Sequence, residues 1–231
     1  MSNPLGKVIP APKGRKLVIS DIHGCVKTLR QLIENLQPTP EDTLFFLGDY
    51  VDKGPDSKGA LDYLMELCET HTVHPVLGNH DLILLKYLRD GDEASKAQLA
   101  DHNSEVFFDL DPETKSKYIS FLESLHHYFI CGDFILVHAG FNFNLSNPFL
   151  GKEDMLNIRS YYYDSSKAQN KTIVHGHVPH PKNEIAEHIN SYHKVLPLDN
   201  GCFYKDERED MGELLCLELN SMELHSQPNC E

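Results

Sequence analysis

The sequence contains no apolar run long enough to span a bilayer. Its N-terminus, MSNPLGKVIPAPKGRK, has lysines and prolines but no apolar segment of the kind found in secretory signals. Its six cysteines form no C-x-x-C pair and no regular framework, which favours free thiols in a reducing compartment over disulfides or a thiolate zinc site. These absences predict a cytoplasmic protein with no membrane partner.

Basic residues are scarce. The chain has 21 Lys and Arg against 35 Asp and Glu, a formal net charge of −14. A surface of that sign repels phosphodiester backbones, so we expect no general nucleic-acid binding. The charge does not argue against a single phosphate held by metal ions. At 231 residues, with 40% hydrophobic residues, the chain is expected to form one α/β domain with loop insertions.

Short apolar runs alternate with helical patterns along the chain. Residues 1–15 read as a loose lead-in, and residues 16–220 as the folded domain. The run at 16–20 is followed by a helix over 25–36, so the next strand, at 43–47, should lie parallel to the first. Residues 91–124 are polar and predict a helical insertion of unknown role. The segment 221–231 is expected to be a loose tail.

Metal-capable side chains follow five successive predicted strands. In open α/β sheets, ligands gather beyond the carboxyl ends of the strands, so these distant segments can converge. The central segment is LFFLGDYVDKG, an apolar strand that stops at a glycine and presents two carboxylates. The side chains are Asp21 and His23, Asp49 and Asp52, Asn79 and His80, His138, and His175 or His177.

Taken singly, each of these motifs has an ordinary structural explanation, such as a turn, a helix cap or a buried structural histidine. All of those explanations would have to hold together, on five strand ends, for the site to vanish. The set offers imidazoles, carboxylates and one amide but no thiolate. This mixture suits Mn²⁺, Fe²⁺ or Zn²⁺, and it is too large for one tetrahedral ion.

These motifs resemble those of the calcineurin-like metallophosphoesterases, and their order and spread cover residues 16–200. The resemblance implies an α/β fold of four layers, an α-β-β-α sandwich in which two mixed sheets are flanked by helices. The matching motifs are Asp21-Ile22-His23-Gly24, Gly48-Asp49-Tyr50-Val51-Asp52-Lys53-Gly54, Gly78-Asn79-His80-Asp81, His138-Ala139-Gly140 and Gly176-His177.

The resemblance also implies a site for two divalent ions, with Mn²⁺ expected and Fe²⁺ or Zn²⁺ as alternatives. It assigns Asp21, His23 and Asp49 to the first ion. It assigns Asn79, His138 and His177 to the second, with Asp49 bridging both. In that mechanism a hydroxide shared by the ions attacks phosphorus in line with the leaving group.

By the same resemblance, His80 is the general acid and Asp52 accepts its other N–H. Lys53 stands where the phosphoprotein phosphatases have an arginine, so phosphate binding should depend more on Arg159, which is predicted to lie on a helix.

These motifs indicate the substrate class less clearly than they indicate the metal site. We expect a Ser/Thr-type protein phosphatase of the bacterial branch acting on a phosphorylated protein or small phosphoester, because the short second half should leave the site open. The segments LGNHDLILL and LDNGC also resemble the symmetrical dinucleoside tetraphosphate hydrolases, which are the first alternative. The second is a non-catalytic binding module on the same fold.

Overall fold

The computed structural model describes residues 5–205 and 207–231, which form two five-stranded sheets with helices around them. The strands are β1 (Gly6–Ile9), β2 (Lys16–Ile19), β3 (Thr43–Phe46), β4 (Thr72–Pro75), β5 (Tyr128–Cys131), β6 (Phe134–Val137), β7 (Thr172–His175), β8 (Val195–Pro197), β9 (Glu213–Glu218) and β10 (Glu223–Pro228). The helices are α1 (Val26–Leu36), α2 (Ser57–Thr70), α3 (Asn79–Asp90), α4 (Glu93–Asp101), α5 (Pro112–Ser124), α6 (Lys152–Asn157) and α7 (Lys182–Asn190). Among the described residues, no helix is both long and apolar enough to cross a membrane.

Both sheets are mixed. One has the order β10-β9-β2-β3-β4 and the other β1-β5-β6-β7-β8. In the first sheet β2, β3 and β4 are parallel, and β9 runs antiparallel to β2. In the second, β6, β7 and β8 are parallel, and β5 and β6 form an antiparallel hairpin. The predicted parallel pairing of the first two buried strands is therefore confirmed.

The core follows the two-residue period of the strands. In β2, Leu17 and Ile19 face helices α1 and α2, whereas Val18 faces the other sheet. The layer between the sheets is closed by apolar side chains from both, including Phe45 and Leu136. On the far side of the second sheet, α6 and an aromatic loop cover Ile135 and its neighbours. The expected arrangement of two mixed sheets flanked by helices is thus observed.

The two ends of the chain differ from the sequence-based expectation. The predicted lead-in contains β1, which pairs with β5 in parallel; residues 1–4 lie outside the described part of the chain. The expectation of a loose tail after residue 220 is wrong, because β10 pairs along its whole length with β9. Both strands lie at sheet edges and are half-buried, so their sequences lack the apolar runs that marked the inner strands.

The helical prediction for residues 91–124 agrees with α4 and α5, which pack beside α3. The prediction for Arg159 is wrong in its local structure. Helix α6 ends at Asn157, and Ile158 is already extended, so Arg159 lies in the loop that follows.

Candidate metal centre

Asp49 lies at the centre of the site, directly beyond β3. It is buried and has a φ of +53°, a backbone conformation that non-glycine residues seldom adopt. Its Oδ1 is 3.5 Å from Nε2 of His138, and its Oδ2 is 3.5 Å from Nε2 of His23. The two carboxylate oxygens therefore face imidazoles from different sheets, which is the placement that a bridging carboxylate requires.

One group of potential ligands is His23, Asp49 and His80, whose ligand atoms lie within 4.8 Å of one another. The Nδ1–H of His23 donates to the carbonyl of Val51 at 3.0 Å, which turns Nε2 towards Asp49. Burial lowers the pKa of His23 well below its ordinary value, and the charge of Lys53 lowers it further. The imidazole is thus held neutral with a free lone pair, the form that binds a metal ion.

The second group is Asp49, His138 and His177, again within 4.8 Å. The Nδ1–H of His138 donates to the carbonyl of Leu47 at 2.8 Å, so its Nε2 presents a lone pair. That atom lies 2.9 Å from Oδ1 of Asn79, which also has lone pairs to offer. Burial lowers the pKa of His177 to about 4, and its Nε2 has no hydrogen-bond partner among the described residues.

Asp21 joins the two segments that come from opposite sheets. Its Oδ2 accepts a hydrogen bond from the backbone N–H of His177 at 2.9 Å, while its buried Oδ1 has no partner in the described part of the chain. A Cβ on Gly176 would lie 1.9 Å from that oxygen, so only glycine leaves room for it. Burial, followed by the charges of Asp199 and Asp49, raises the pKa of Asp21 well above its ordinary value.

These observations fit a site for two cations. Around Asp49 converge neutral imidazoles, an unpartnered carboxylate oxygen and an amide oxygen. The positively charged side chains nearby are too few to balance the negative charge of the buried carboxylates. The ammonium of Lys53 shows where a cation is favoured, since its Nζ lies 2.9 Å from Nε2 of His23. The family resemblance suggested Lys53 for phosphate binding; here it contacts a predicted metal ligand and the ring of Phe203.

His80 and Asp52 form a buried pair beside this centre. Nδ1 of His80 lies 2.7 Å from Oδ2 of Asp52, and Nε2 lies 4.0 Å from Oδ2 of Asp49. Burial works to lower the pKa of His80, but the charge of Asp49 and the hydrogen bond to Asp52 outweigh it, and the pKa is raised. The ring can therefore hold a proton on Nε2 and direct it towards the space between the ligand groups.

Asp81 aligns the two loops that carry Asp49 and Asn79. Its carboxylate accepts backbone hydrogen bonds from Asp49 at 2.8 Å, Tyr50 at 2.9 Å and Gly78 at 2.9 Å. Sequence reasoning suggested only that Asp81 caps the following helix. The contacts to Asp49 and Tyr50 cross between segments that are 31 and 32 residues apart, and no local pattern reveals them.

Sequence reasoning missed three residues that adjoin Asp52. Ser104 and His102 come from the helical insertion and Ser57 from the start of α2. Asp199 accepts the N–H of Gly201 at 2.7 Å and lies close enough to Asp21 for its charge to raise the pKa of that carboxyl. Serine and histidine in a polar segment carry no signal of such a contact.

Arg159 lies at the outer edge of the site. Its side chain is exposed, and its charge contributes to the lowered pKa of His177. A cavity of about 600 Å³ opens between α3, α5 and α6, and its walls come from residues other than the candidate metal ligands. Its lining combines apolar side chains such as Leu77 and Leu156 with basic Lys86 and acidic Glu123 and Glu153.

Comparison with known proteins gives a consistent result. A model of the calcineurin-like phosphoesterase family matches residues 14–208. The symmetrical bis(5'-nucleosyl)-tetraphosphatase of Nitrosospira multiformis is 29% identical over 123 residues, which cover 53% of this chain. The corresponding protein of Erwinia tasmaniensis is 43% identical over 86 residues, or 36% of this chain. The chain spans 42% and 31% of the lengths of these two relatives.

Two solved structures share the fold along nearly the whole chain. A candidate diadenosine tetraphosphatase superposes with a TM-score of 0.66 and 22% identity, covering 97% of this chain and 98% of that one. A protein serine/threonine phosphatase from Saccharomyces cerevisiae also gives a TM-score of 0.66, with 13% identity and 99% and 85% coverage. At these identities the likeness concerns the fold alone.

Proposed function

Because the chain belongs to the calcineurin-like phosphoesterase family, we propose that it is a metal-dependent phosphoester hydrolase that cleaves dinucleoside tetraphosphates symmetrically. The choice of substrate rests on which relatives resemble this chain in sequence and which resemble it only in fold. The relatives that match by sequence, at 29% and 43% identity, are symmetrical tetraphosphatases. The serine/threonine phosphatase matches only in fold, at 13% identity.

This choice reverses the order expected from the sequence. The protein-phosphatase expectation came from the short second half of the chain and from the open site it implies. A candidate diadenosine tetraphosphatase is covered to 98% of its length by this chain, so short length does not exclude that class.

The protein residues have separate tasks in the proposed reaction. When bound, two divalent ions would supply hydroxide near neutral pH and neutralise charge on the phosphoryl oxygens. Asp21, His23 and Asp49 would hold one ion, and Asn79, His138, His177 and Asp49 the other. The exposed Arg159 would bind a phosphate that approaches from solvent.

His80 would donate its Nε2 proton to the departing oxygen, while Asp52 fixes the tautomer through Nδ1. The need for this proton depends on the leaving group. A nucleoside diphosphate leaves as a stable anion, whereas a serine or phenol oxygen needs protonation. Replacement of His80 by Asn should therefore slow alkyl and aryl phosphate hydrolysis more than tetraphosphate cleavage.

The test is a substrate panel on protein loaded with Mn²⁺, with Fe²⁺ and Zn²⁺ in parallel. Diadenosine tetraphosphate should be split into two nucleoside diphosphates, detected by chromatography, and should be preferred to phosphoserine and phosphothreonine peptides. Asp49→Asn should abolish cleavage, because an amide cannot replace the bridging charge. Asp133→Asn, which changes an exposed aspartate in the β5–β6 turn, should leave it intact.

Other outcomes separate the alternatives. A hundredfold preference for phosphopeptides would restore the protein-phosphatase assignment. A mononucleotide and a nucleoside triphosphate as products would exclude symmetrical cleavage. Absence of turnover with all three metals, despite metal binding, would favour a binding module.

A further inference from the structure

Three consecutive residues of the helical insertion hold the loop that carries Asp52. The backbone N–H of Lys53 donates to the carbonyl of His102 at 2.8 Å, and Nδ2 of Asn103 donates to the carbonyl of Lys53 at 3.3 Å. The hydroxyl of Ser104 donates to Oδ1 of Asp52 at 2.5 Å. The insertion is thus bonded to both the backbone and the carboxylate of this loop.

The loop needs such support. Asp52 and Lys53 have φ values of +72° and +68°, and two successive non-glycine residues in this region are strained. Conformations of that kind persist where surrounding contacts over-determine them. Here those contacts come from residues 102–104, about fifty positions away in the sequence.

The hydrogen bonds around Asp52 form a closed ring in which the donor and the acceptor of every bond are fixed. Asp52 N–H donates to Oγ of Ser57 at 2.8 Å, and the two serine oxygens are 3.1 Å apart. Because Ser104 uses its one proton on Asp52, the hydroxyl of Ser57 must donate to Ser104. The ring therefore runs from Asp52 N–H through Ser57 and Ser104 and returns to Oδ1 of Asp52.

Each carboxylate oxygen of Asp52 consequently has its own partner. Oδ1 receives the proton of Ser104, and Oδ2 lies 2.7 Å from Nδ1 of His80. The carboxylate is fully buried and cannot rotate without breaking one of these bonds. The ring of His102 packs edge-on against His80, with centroids 5.4 Å apart, and closes the same side.

We propose that Ser104 is a positioning residue for the reaction, which acts through Asp52 to orient His80. This inference rests on the proposed hydrolase function and gives the helical insertion a role in it. A serine hydroxyl suits the task, because it offers one donor to the carboxylate and one acceptor to Ser57.

The experiment compares three variants of the metal-loaded protein. Ser104→Ala removes the hydroxyl, Ser104→Cys keeps the shape with a weaker donor, and Ser95→Ala removes another buried serine of the same insertion. We expect kcat for phenyl phosphate to fall by about tenfold in Ser104→Ala with KM unchanged, since partners of this kind contribute on the order of 10- to 100-fold. Ser104→Cys should be intermediate, and Ser95→Ala should match the wild type.

Two readouts distinguish positioning from simple structural support. The loss should be smaller for p-nitrophenyl phosphate, whose leaving group needs less protonation. It should also vanish when Asp52 is already Asn, because Ser104 then has no carboxylate to hold. Equal losses on both substrates, or a loss that persists beside Asp52→Asn, would show that Ser104 only supports the fold.

A third readout does not depend on turnover. In protein labelled with ¹⁵N-histidine, with Zn²⁺ in place of paramagnetic ions, the Nδ1–H of His80 should give a downfield proton resonance, identified by its loss in His80→Asn. It should shift in Ser104→Ala and stay in place in Ser95→Ala. An unshifted resonance would overturn the positioning role. If the wild type hydrolyses no phosphoester, the proposed function fails, and this resonance still decides whether Ser104 orients His80.

Discussion

Replacement of Gly176 by alanine should damage metal binding while sparing the fold. The new Cβ would lie 1.9 Å from Oδ1 of Asp21, whereas ordinary contact begins at 3.4 Å, so one of the two groups must move by about 1.5 Å. The backbone of Gly176 has no positive φ, so alanine adds no conformational strain there. The displacement falls on a carboxylate oxygen that is proposed to bind the first ion.

Metal ligands tolerate far smaller displacements than this, on the order of 0.2 Å. We therefore expect Mn²⁺ affinity at the first position to fall by about 100-fold or more, with kcat reduced to a similar degree. The free energy of unfolding of the metal-free protein should fall by about 1–3 kcal/mol, the usual cost of overpacking. Isothermal titration calorimetry should then show one tight Mn²⁺ site where the wild type shows two.

Gly91→Ala is the matched control. A Cβ at Gly91 meets nothing within 4 Å, but its φ of +66° makes alanine unfavourable there by about 1–2 kcal/mol. The two variants should thus be destabilised by comparable amounts and differ in metal binding. If Gly176→Ala binds two Mn²⁺ ions with wild-type affinity, Asp21 is not a ligand and the proposed site is wrong.

Three further expectations follow from charged groups of the protein and from the proposed metal ions. The pKa of His80 is raised in the folded protein, so acid catalysis should be present at lower pH and be lost as pH rises through that pKa. Asp52→Asn should move this alkaline limb of the kcat profile to lower pH. An unmoved limb would contradict the pairing of His80 with Asp52. Burial favours the neutral form of Asp42, but the hydrogen bonds from Arg15 and Thr39 outweigh it and lower the pKa. Its stabilisation is therefore complete well above the unfolded pKa of about 3.9 and is lost gradually as the pH falls from there through the lower folded pKa. Asp42→Asn should cost about 2 kcal/mol at pH 7 and progressively less as the pH falls below about 4, which urea titrations would measure. Mn²⁺ at 100 times its dissociation constant should stabilise the protein by about 2.7 kcal/mol, and a chelator should reverse the rise in Tm; an unchanged Tm would argue against resident metal.

The sequence by itself determined the local units of this protein. Short, continuously apolar runs followed by metal-capable polar side chains predict buried strands that lead into functional loops, and β2, β3, β6 and β7 follow that rule. Because parallel strands of one sheet place their carboxyl ends at one edge, the proximity of Asp21 and Asp49 was also predictable. Both features depend only on residues that are close together in the sequence.

Contacts between distant segments were decided only by the tertiary structure. The edge strand β10 has no apolar run, because half of its surface faces solvent, and it is recognisable only beside β9. Ser104 reaches Asp52 across 52 positions through packing of the insertion, and a serine in a polar helical region does not indicate its partner. Which hydrogen bonds form between segments depends on the geometry with which the whole core packs, and no stretch of sequence encodes that geometry locally.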